Sequence, residues 1–390
     1  MKARDLNKYQ GIFPAFYACY DDAGEVSPAR ARAFTEYLIE KGVNGLYVGG
    51  SSGECIYHSV PERKALLEAV IAQAAGRVTI IAHVACNNTR DSMELAAHAE
   101  SAGADCIAAI PPIYFHLPDR AIAQYWTDIA SAAPNTDFII YNIPQLAGTA
   151  LNSSLLRTML AVPTVIGVKN SSMPIQDIEM WRDEGAIVFN GPDEQLLSGL
   201  AAGAVGGIGG TYAAMPELYE RIFTLVRGGG ILPARDIQDA CCHIIYKMCS
   251  GQGNMYAMIK EILRLRGAPD IGGVRAPLYP LQPGDELRLR AADVGDGLHQ
   301  QHDRVHVGHA LLHHVHHVVP QAGACLVQAR RIQKDELALP PVQNGADPVP
   351  GGLGLVGDDG HLFPHQGVGQ AGLAHVGPSA NGDHGGFCNV

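Results

Sequence analysis

Short apolar runs alternate with longer amphipathic stretches over the first half of the chain. Runs of this kind, rich in β-branched residues, are typical of buried strands in a parallel sheet. Eight strands are predicted, over Gly11–Tyr17, Gly45–Gly49, Val78–Ala85, Asp105–Ile110, Asp137–Ile143, Thr164–Lys169, Ala186–Asn190 and Ala204–Ile208. Eight is the number that a closed (β/α)8 barrel requires. Periodicity alone also permits a doubly wound open sheet.

Capping residues mark helices between the strands. Ser27 followed by Pro28 predicts a helix start, and Gly42 can end that helix. Ser59 and Glu62 have the spacing of a capping box before the next helix. Strands and helices that alternate in this way favour a parallel α/β fold.

The chain changes character after the eighth strand. Three further helices are predicted over Pro216–Arg227, Ala234–Met248 and Met255–Arg266, and they indicate a helical appendage. We therefore predict a barrel over residues 1–215, a helical region over 216–290 and a separate tail over 291–390.

The predicted tail holds twelve of the seventeen histidines, has no Tyr or Trp, and repeats Gly and Pro. This composition predicts a disordered segment, or a non-native one read out of frame from GC-rich DNA. Its closest approach to a metal-binding pattern is His313, His314, His316 and His317. Clusters that arise from composition usually lack the supporting shell of a metal site, so we expect no metal there.

Composition also narrows the class of function. The net charge of −11 argues against broad nucleic-acid or anionic-membrane surfaces and favours a small-molecule partner. No run reaches the roughly 18 apolar residues of a spanning helix, and MKARDLNKYQ lacks an apolar signal region. Nine cysteines without a CxxC pair favour a reducing compartment, so we expect a cytoplasmic protein.

Lys169 is the first candidate for chemistry, because it ends an apolar strand where a barrel places catalytic side chains. Burial lowers the pKa of a lysine amine and leaves a neutral nucleophile that can attack a carbonyl. A lysine paired with a buried carboxylate is the alternative on position alone.

Two further segments surround this lysine in the predicted barrel. Tyr141, in the tetrapeptide YNIP, closes the fifth strand, and its phenol can relay a proton. The GGSSGE loop at residues 49–54 can bind a carboxylate through its amides and the hydroxyls of Ser51 and Ser52. Taken alone, a loop of Gly and Ser is also an ordinary turn.

Together, GGSSGE, YNIP and GVKNSS resemble the signature of the dihydrodipicolinate synthase and N-acetylneuraminate lyase superfamily, from about Gly11 to Leu281. The resemblance implies a TIM barrel, a pyruvate-type Schiff base on Lys169, substrate carboxylate binding by Ser51 and Ser52, and proton transfer by Tyr141. It also implies that Tyr114 completes a hydroxyl relay, shared with Ser51, in the neighbouring subunit of a homotetramer. No metal or organic cofactor is expected, since the imine acts as the electron sink.

Other positions favour the lyase branch. Leu146 stands where the synthase branch is expected to carry an arginine, while Gly191, Asp193 and Glu194 resemble a lyase segment that binds the hydroxyls of a sugar acid. Ser171 keeps a hydroxyl where lyases often have threonine, and Gly210 stands where they have serine. The resemblance thus implies cleavage of a 2-oxo sugar acid such as N-acetylneuraminate. Acidic residues that begin a helix are the structural alternative for Asp193 and Glu194.

Several functions stay open. A synthase, or another sugar-acid aldolase or dehydratase, belongs to the same superfamily. The glycine-rich stretch at residues 204–210 could instead cradle a phosphate, as in phosphosugar isomerases or flavin-binding barrels. A non-catalytic sensor would have lost Lys169 or Tyr141, and the chain keeps both.

Overall fold

The computed structural model describes residues 5–286 and residue 289. The predicted tail over 291–390, with its four clustered histidines, lies outside the described residues. Among the helices of the part that is described, none is long and apolar enough to cross a membrane.

All eight predicted strands are present, and they form one parallel sheet in the order β1-β8-β7-β6-β5-β4-β3-β2. Backbone hydrogen bonds from Asn44 to Ile12 (3.1 Å) and from Phe16 to Tyr47 (2.8 Å) join β1 to β2. The sheet is therefore a barrel, and the open-sheet alternative is wrong. The strands are β1 Gly11–Pro14, β2 Gly45–Val48, β3 Thr79–His83, β4 Cys106–Ala109, β5 Asp137–Asn142, β6 Val165–Asn170, β7 Ile187–Asn190 and β8 Gly206–Gly209.

The helices begin at the predicted caps. The Ser27 side chain accepts a hydrogen bond from the Arg30 amide, and Ser59 and Glu62 form the predicted capping box. The helices between strands are α1 Pro28–Glu40, α2 Val60–Ala74, α3 Thr89–Ala102, α4 Asp119–Ala132, α5 Pro144–Ala147, α6 Ser153–Leu160, α7 Gln176–Asp183 and α8 Leu196–Ala201.

Three helices follow β8, namely α9 Pro216–Arg227, α10 Ile231–Cys249 and α11 Met255–Leu265. Helix α9 packs against β1 and α8, as a barrel helix does, whereas α10 packs against α8, α9 and α11. The boundary between a barrel at 1–215 and a helical region at 216–290 remains a proposal, and the packing of α9 associates that helix with the barrel.

The barrel interior is filled with side chains rather than open. Aromatic rings pack edge-to-face across it, with the Phe13 and Phe189 centroids 5.3 Å apart. A second, larger apolar layer lies between the strands and the surrounding helices and includes Phe34, Trp126 and Trp181. Because the interior is packed, a reaction site must lie at the carboxyl ends of the strands. The interior layer consists of Tyr9, Phe13, Tyr47, Ile81, Cys106, Ala108, Ile139, Tyr141, Ile166, Phe189 and Ile208.

Candidate active site

Lys169 and Tyr141 are neighbours across the β5–β6 pair, where the register aligns them directly. The Lys169 amine lies 3.7 Å from the centroid of the Tyr141 ring and 4.4 Å from that of Tyr47. Two aromatic faces can stabilise the ammonium form without fixing it in an ion pair. The predicted pairing of lysine and tyrosine is therefore present in the geometry.

The Lys169 side chain is buried, with a residue exposure of 5%. Burial lowers the pKa of its amine to about 7, and the negative charge of Asp193 opposes that shift. An amine with this pKa is substantially deprotonated at neutral pH, as a nucleophile that attacks carbonyls requires. Within the described residues Lys169 forms no ion pair, so the alternative of a lysine paired with a buried carboxylate does not apply.

Tyr141 has the environment of a proton-transfer group. Burial raises the pKa of its phenol to about 12, and hydrogen bonds with Ser171 and Ser51 lower it in part. The hydroxyls of two predicted substrate-binding residues thus converge on the phenol. A chain of hydroxyls next to a nucleophilic amine can move a proton to and from a bound substrate.

The Gly49–Glu54 loop after β2 is closed by its own backbone. The Glu54 amide donates to the Ser51 carbonyl at 2.9 Å, and Gly49 has a positive φ of 74° that suits glycine. Ser52 is buried, and its hydroxyl lies close enough to the phenols of Tyr17 and Tyr256 to lower the pKa of each. The hydroxyls of Ser51 and Ser52 therefore lie beside tyrosine phenols, that of Ser51 beside Tyr141.

His83, at the end of β3, supports the same loop. Its Nδ1 lies 2.9 Å from the Gly49 carbonyl, and its ring is 6.1 Å from the rings of Tyr47 and Tyr141. Burial, with the positive charge of Arg63, lowers the pKa of His83 well below its usual range. A neutral ring can donate Nδ1–H to the carbonyl and adds no charge beside the lysine.

Ser171 and Gly191 lie side by side at the ends of β6 and β7. The Gly191 amide donates to the Asn170 carbonyl at 2.8 Å, and the Ser171 amide to the Asn142 carbonyl at 2.7 Å. A Cβ at Gly191 would stand 2.1 Å from the Ser171 Oγ, so only glycine leaves room for that hydroxyl. This explains the presence of glycine there without any direct contact to substrate.

Asp193 and Glu194 differ sharply in environment. Asp193 is buried, and its Oδ2 accepts hydrogen bonds from the Thr211 amide (2.7 Å) and hydroxyl (2.5 Å). Burial, with the nearby charge of Glu194, raises the pKa of Asp193 to about 7. Glu194 is exposed. One oxygen of the Asp193 carboxylate therefore binds Thr211, whereas the exposed carboxylate of Glu194 is accessible to another group.

Glycines in the stretch at residues 204–210 serve close packing. A Cβ at Gly206 would meet the Gly11 carbonyl oxygen at 2.0 Å, and one at Gly209 would meet the Asp193 Oδ1 at 1.9 Å. The buried carboxylate of Asp193, which lies against Gly209, also disfavours the binding of a phosphate here. A Cβ at Gly210 would come within 3.2 Å of the Ser52 Oγ. The Gly210 carbonyl accepts a hydrogen bond from the Tyr17 hydroxyl.

Tyr114 stands apart from this group. Its side chain is 88% exposed, its φ is 86°, and it packs edge-on against Phe115, which is 71% exposed. Both rings line a surface cavity of about 540 Å³ with Asn87 and Tyr125. The described chain does not bring Tyr114 to its own Lys169.

Four residues near the site were not anticipated from the sequence, namely Tyr17, Tyr47, His83 and Tyr256. Tyr47 and His83 sit inside predicted strands, where alternation could have assigned them to the barrel interior. Tyr256 belongs to α11, and nothing local to its sequence indicates that this helix reaches the barrel mouth.

Comparisons with known proteins agree with this geometry. Residues 8–292 match the Dihydrodipicolinate synthetase family. An N-acetylneuraminate lyase of Mediterraneibacter gnavus is 59% identical over 295 residues, which cover 75% of this chain and 94% of that protein. An Escherichia coli N-acetylneuraminate lyase is 32% identical over 274 residues, 70% of this chain and 92% of that protein.

Solved structures extend the match to three dimensions. A catalytic lysine mutant of Ruminococcus gnavus sialic acid aldolase is 55% identical, covers 77% of this chain and 99% of its own, and superposes with a TM-score of 0.76.

Proposed function

The chain belongs to the dihydrodipicolinate synthetase family, and on that premise we propose that it is a class I aldolase that cleaves N-acetylneuraminate to pyruvate and N-acetylmannosamine. The observation that carries the proposal is the buried Lys169 amine, which lies 3.7 Å from the centroid of the Tyr141 ring and has a pKa of about 7. The similar Ruminococcus gnavus protein is a sialic acid aldolase with a catalytic lysine, which supports the assignment.

The proposed reaction begins with the neutral Lys169 amine, which adds to the C2 carbonyl of the open-chain sugar acid. Loss of water gives a protonated imine that can accept electrons. The Tyr141 phenol donates its proton to the departing water, and the phenolate formed in this way takes the proton of the C4 hydroxyl. The C3–C4 bond then breaks, and its electron pair moves into the iminium to form an enamine. The C4 carbon leaves as the aldehyde of N-acetylmannosamine. Protonation of the enamine at C3 and hydrolysis release pyruvate and regenerate the amine.

The surrounding residues have complementary roles in this proposal. Ser51 and Ser52 bind the substrate carboxylate, and Ser51 with Ser171 orients the Tyr141 phenol. Glu194 accepts hydrogen bonds from the sugar hydroxyls, and Asp193 sets the electrostatic potential at the amine more than it binds the sugar.

Gly191 and Gly210 shape the sugar pocket by leaving space beside Ser171 and Ser52. Leu146, which is 48% exposed, supplies no charge for a second substrate carboxylate. We therefore favour a lyase over a synthase.

We propose a homotetramer in which Tyr114 acts in a neighbouring subunit. An aromatic ring that is 88% exposed, next to a second exposed ring, is unfavourable in water and supports an interface at this surface. A reducing, cytoplasmic location is proposed from the cysteines, because the seven in the described residues are all unpaired.

Borohydride trapping tests the proposed function. The protein is incubated with pyruvate, reduced and digested, and the adduct is located by mass spectrometry. One adduct on Lys169 is expected, because only an imine is trapped in this way. A parallel assay of pyruvate release from N-acetylneuraminate distinguishes the lyase from a synthase. An adduct on another lysine, or none, would overturn the assignment.

A further inference from the structure

Glu54 closes the carboxylate-binding loop in a backbone conformation that is unusual for its residue type. Its φ and ψ are 52° and 30°, in the left-handed region, and it has a Cβ that this region disfavours. The residue is also almost fully buried, at 1% exposure. A strained conformation persists only where surrounding contacts impose it.

Three donors from other parts of the chain hold the Glu54 carboxylate. Oε1 accepts a hydrogen bond from the Lys260 amine at 2.9 Å, and Oε2 accepts from the Tyr20 hydroxyl (3.0 Å) and the Arg275 amide (2.8 Å). The side chains of Lys260 and Glu54 are 3% and 0% exposed. Lys260 also donates to the Gly273 carbonyl.

The ion pair joins the loop to helix α11 across 206 residues of sequence. Tyr256 lies one helical turn before Lys260, on the same face of α11, and its phenol is close enough to the Ser52 hydroxyl for Ser52 to lower the pKa of the phenol. The helix therefore contacts the loop at two points, one at Glu54 and one at a substrate-binding hydroxyl. A shift of the helix would move both ends of the Ser51–Glu54 segment.

We propose that the Glu54–Lys260 pair is a positioning device for the substrate carboxylate. By fixing the last residue of the loop, it holds the amides and hydroxyls of Ser51 and Ser52 in the orientation that binds the carboxylate of pyruvate and of the sugar acid. This proposal rests on the proposed function, because it assigns the loop to a 2-oxo acid. Neither residue touches the substrate.

A purely stabilising pair makes a different prediction. Removing one partner of a buried pair leaves an unpaired charge, whereas replacing both with neutral groups of similar volume is often neutral for stability. A positioning role still fails in such a double variant, since the Glu54 end of the loop is no longer tied to α11. In the double variant, a positioning role therefore predicts normal stability with weakened substrate binding, whereas a purely stabilising role predicts that both are normal.

The experiment compares Lys260→Met, the double variant Glu54→Gln/Lys260→Met, and the control Arg264→Met. Arg264 lies on the same helix but pairs with Glu261 of that helix. Thermal unfolding is measured beside the pyruvate concentration that gives half-maximal borohydride trapping, and KM and kcat are measured for N-acetylneuraminate.

In both Lys260 variants the half-maximal pyruvate concentration and KM should rise by about tenfold to a hundredfold, the effect of losing one hydrogen bond to a charged group. The value of kcat should change much less, and Arg264→Met should match the wild type. A double variant that regains thermal stability and binds pyruvate as tightly as the wild type would overturn the proposal. Absence of trapping in the wild type would instead overturn the proposed function.

Discussion

Two buried lysines of this chain occupy contrasting environments. Both lysines are 5% exposed. The amine of Lys169, in the barrel, lies over two tyrosine rings. The amine of Lys260, on α11, forms an ion pair with Glu54 at 2.9 Å. Burial lowers the pKa of both amines. For Lys260, the charge of Glu54 and a direct hydrogen bond to it oppose the shift.

The difference lies in whether a carboxylate oxygen reaches the amine. In both carboxylates one oxygen accepts two hydrogen bonds from other groups: Asp193 from Thr211, and Glu54 from Tyr20 and the Arg275 amide. The second oxygen of Glu54 accepts a hydrogen bond from Lys260, whereas Asp193 acts on Lys169 through its charge alone. In the proposed function the same residue type is thus a nucleophile in one place and a structural cation in the other, and the partner decides which.

The strongest test of the contrast is to replace each lysine with methionine. Lys169→Met should lose turnover of N-acetylneuraminate by on the order of 10⁶-fold, the usual cost of removing a covalent nucleophile. Lys260→Met should keep most of kcat, because its amine does not react. Steady-state assays under saturating substrate measure both. Equal losses of kcat in the two variants would remove the distinction.

Tyr141→Phe sharpens the description of the Lys169 environment. It should lower kcat by about 10²- to 10⁴-fold, because proton transfer is lost, while trapping of pyruvate on Lys169 is retained. Tyr246→Phe, at a tyrosine that is 62% exposed on α10, is the matched control and should behave as the wild type. Full activity in Tyr141→Phe would exclude the phenol as the proton-transfer group.

The Lys260 environment is tested by stability. Lys260→Met should lower the free energy of unfolding by about 3–5 kcal/mol, because the Glu54 charge is left buried without its partner. Urea unfolding measures the change, and the double variant with Glu54→Gln should recover most of it. If the single variant were as stable as the wild type, the pair would contribute little to the fold.

The smallest expected effect concerns pH. Only the neutral amine of Lys169 attacks a carbonyl, so the rate constant for imine formation at low pyruvate should rise with pH through about 7 and then level off. Asp193→Asn removes an anion that stabilises the ammonium form, so the inflection should move to lower pH, by about one unit at most.

The control for the pH measurement is Glu179→Gln, at an exposed position of α7, which should leave the inflection in place. An inflection that stays at pH 7 in Asp193→Asn, or moves upward, would show that Asp193 does not influence the amine.

Much of the fold was determined by local sequence. The eight apolar runs and the caps at Ser27 and Ser59 predict the strands and the first helices, because strand burial and capping depend on residues close together in the chain. The motifs around Lys169, Tyr141 and Ser51 indicate the chemistry for the same reason: each lies at the carboxyl end of a strand, and the barrel topology brings such ends together.

Tertiary structure alone decided how far each of these side chains is buried and which groups it contacts. Asp193 and Glu194 are adjacent in sequence, yet one is buried against Thr211 and the other is exposed. Lys260 and Tyr256 read as ordinary positions of a C-terminal helix, yet they contact a loop some two hundred residues away in sequence. Solvent exposure and the distance between charges arise only when the chain closes on itself. These two quantities set which lysine is paired with a carboxylate and which of two adjacent carboxylates is exposed.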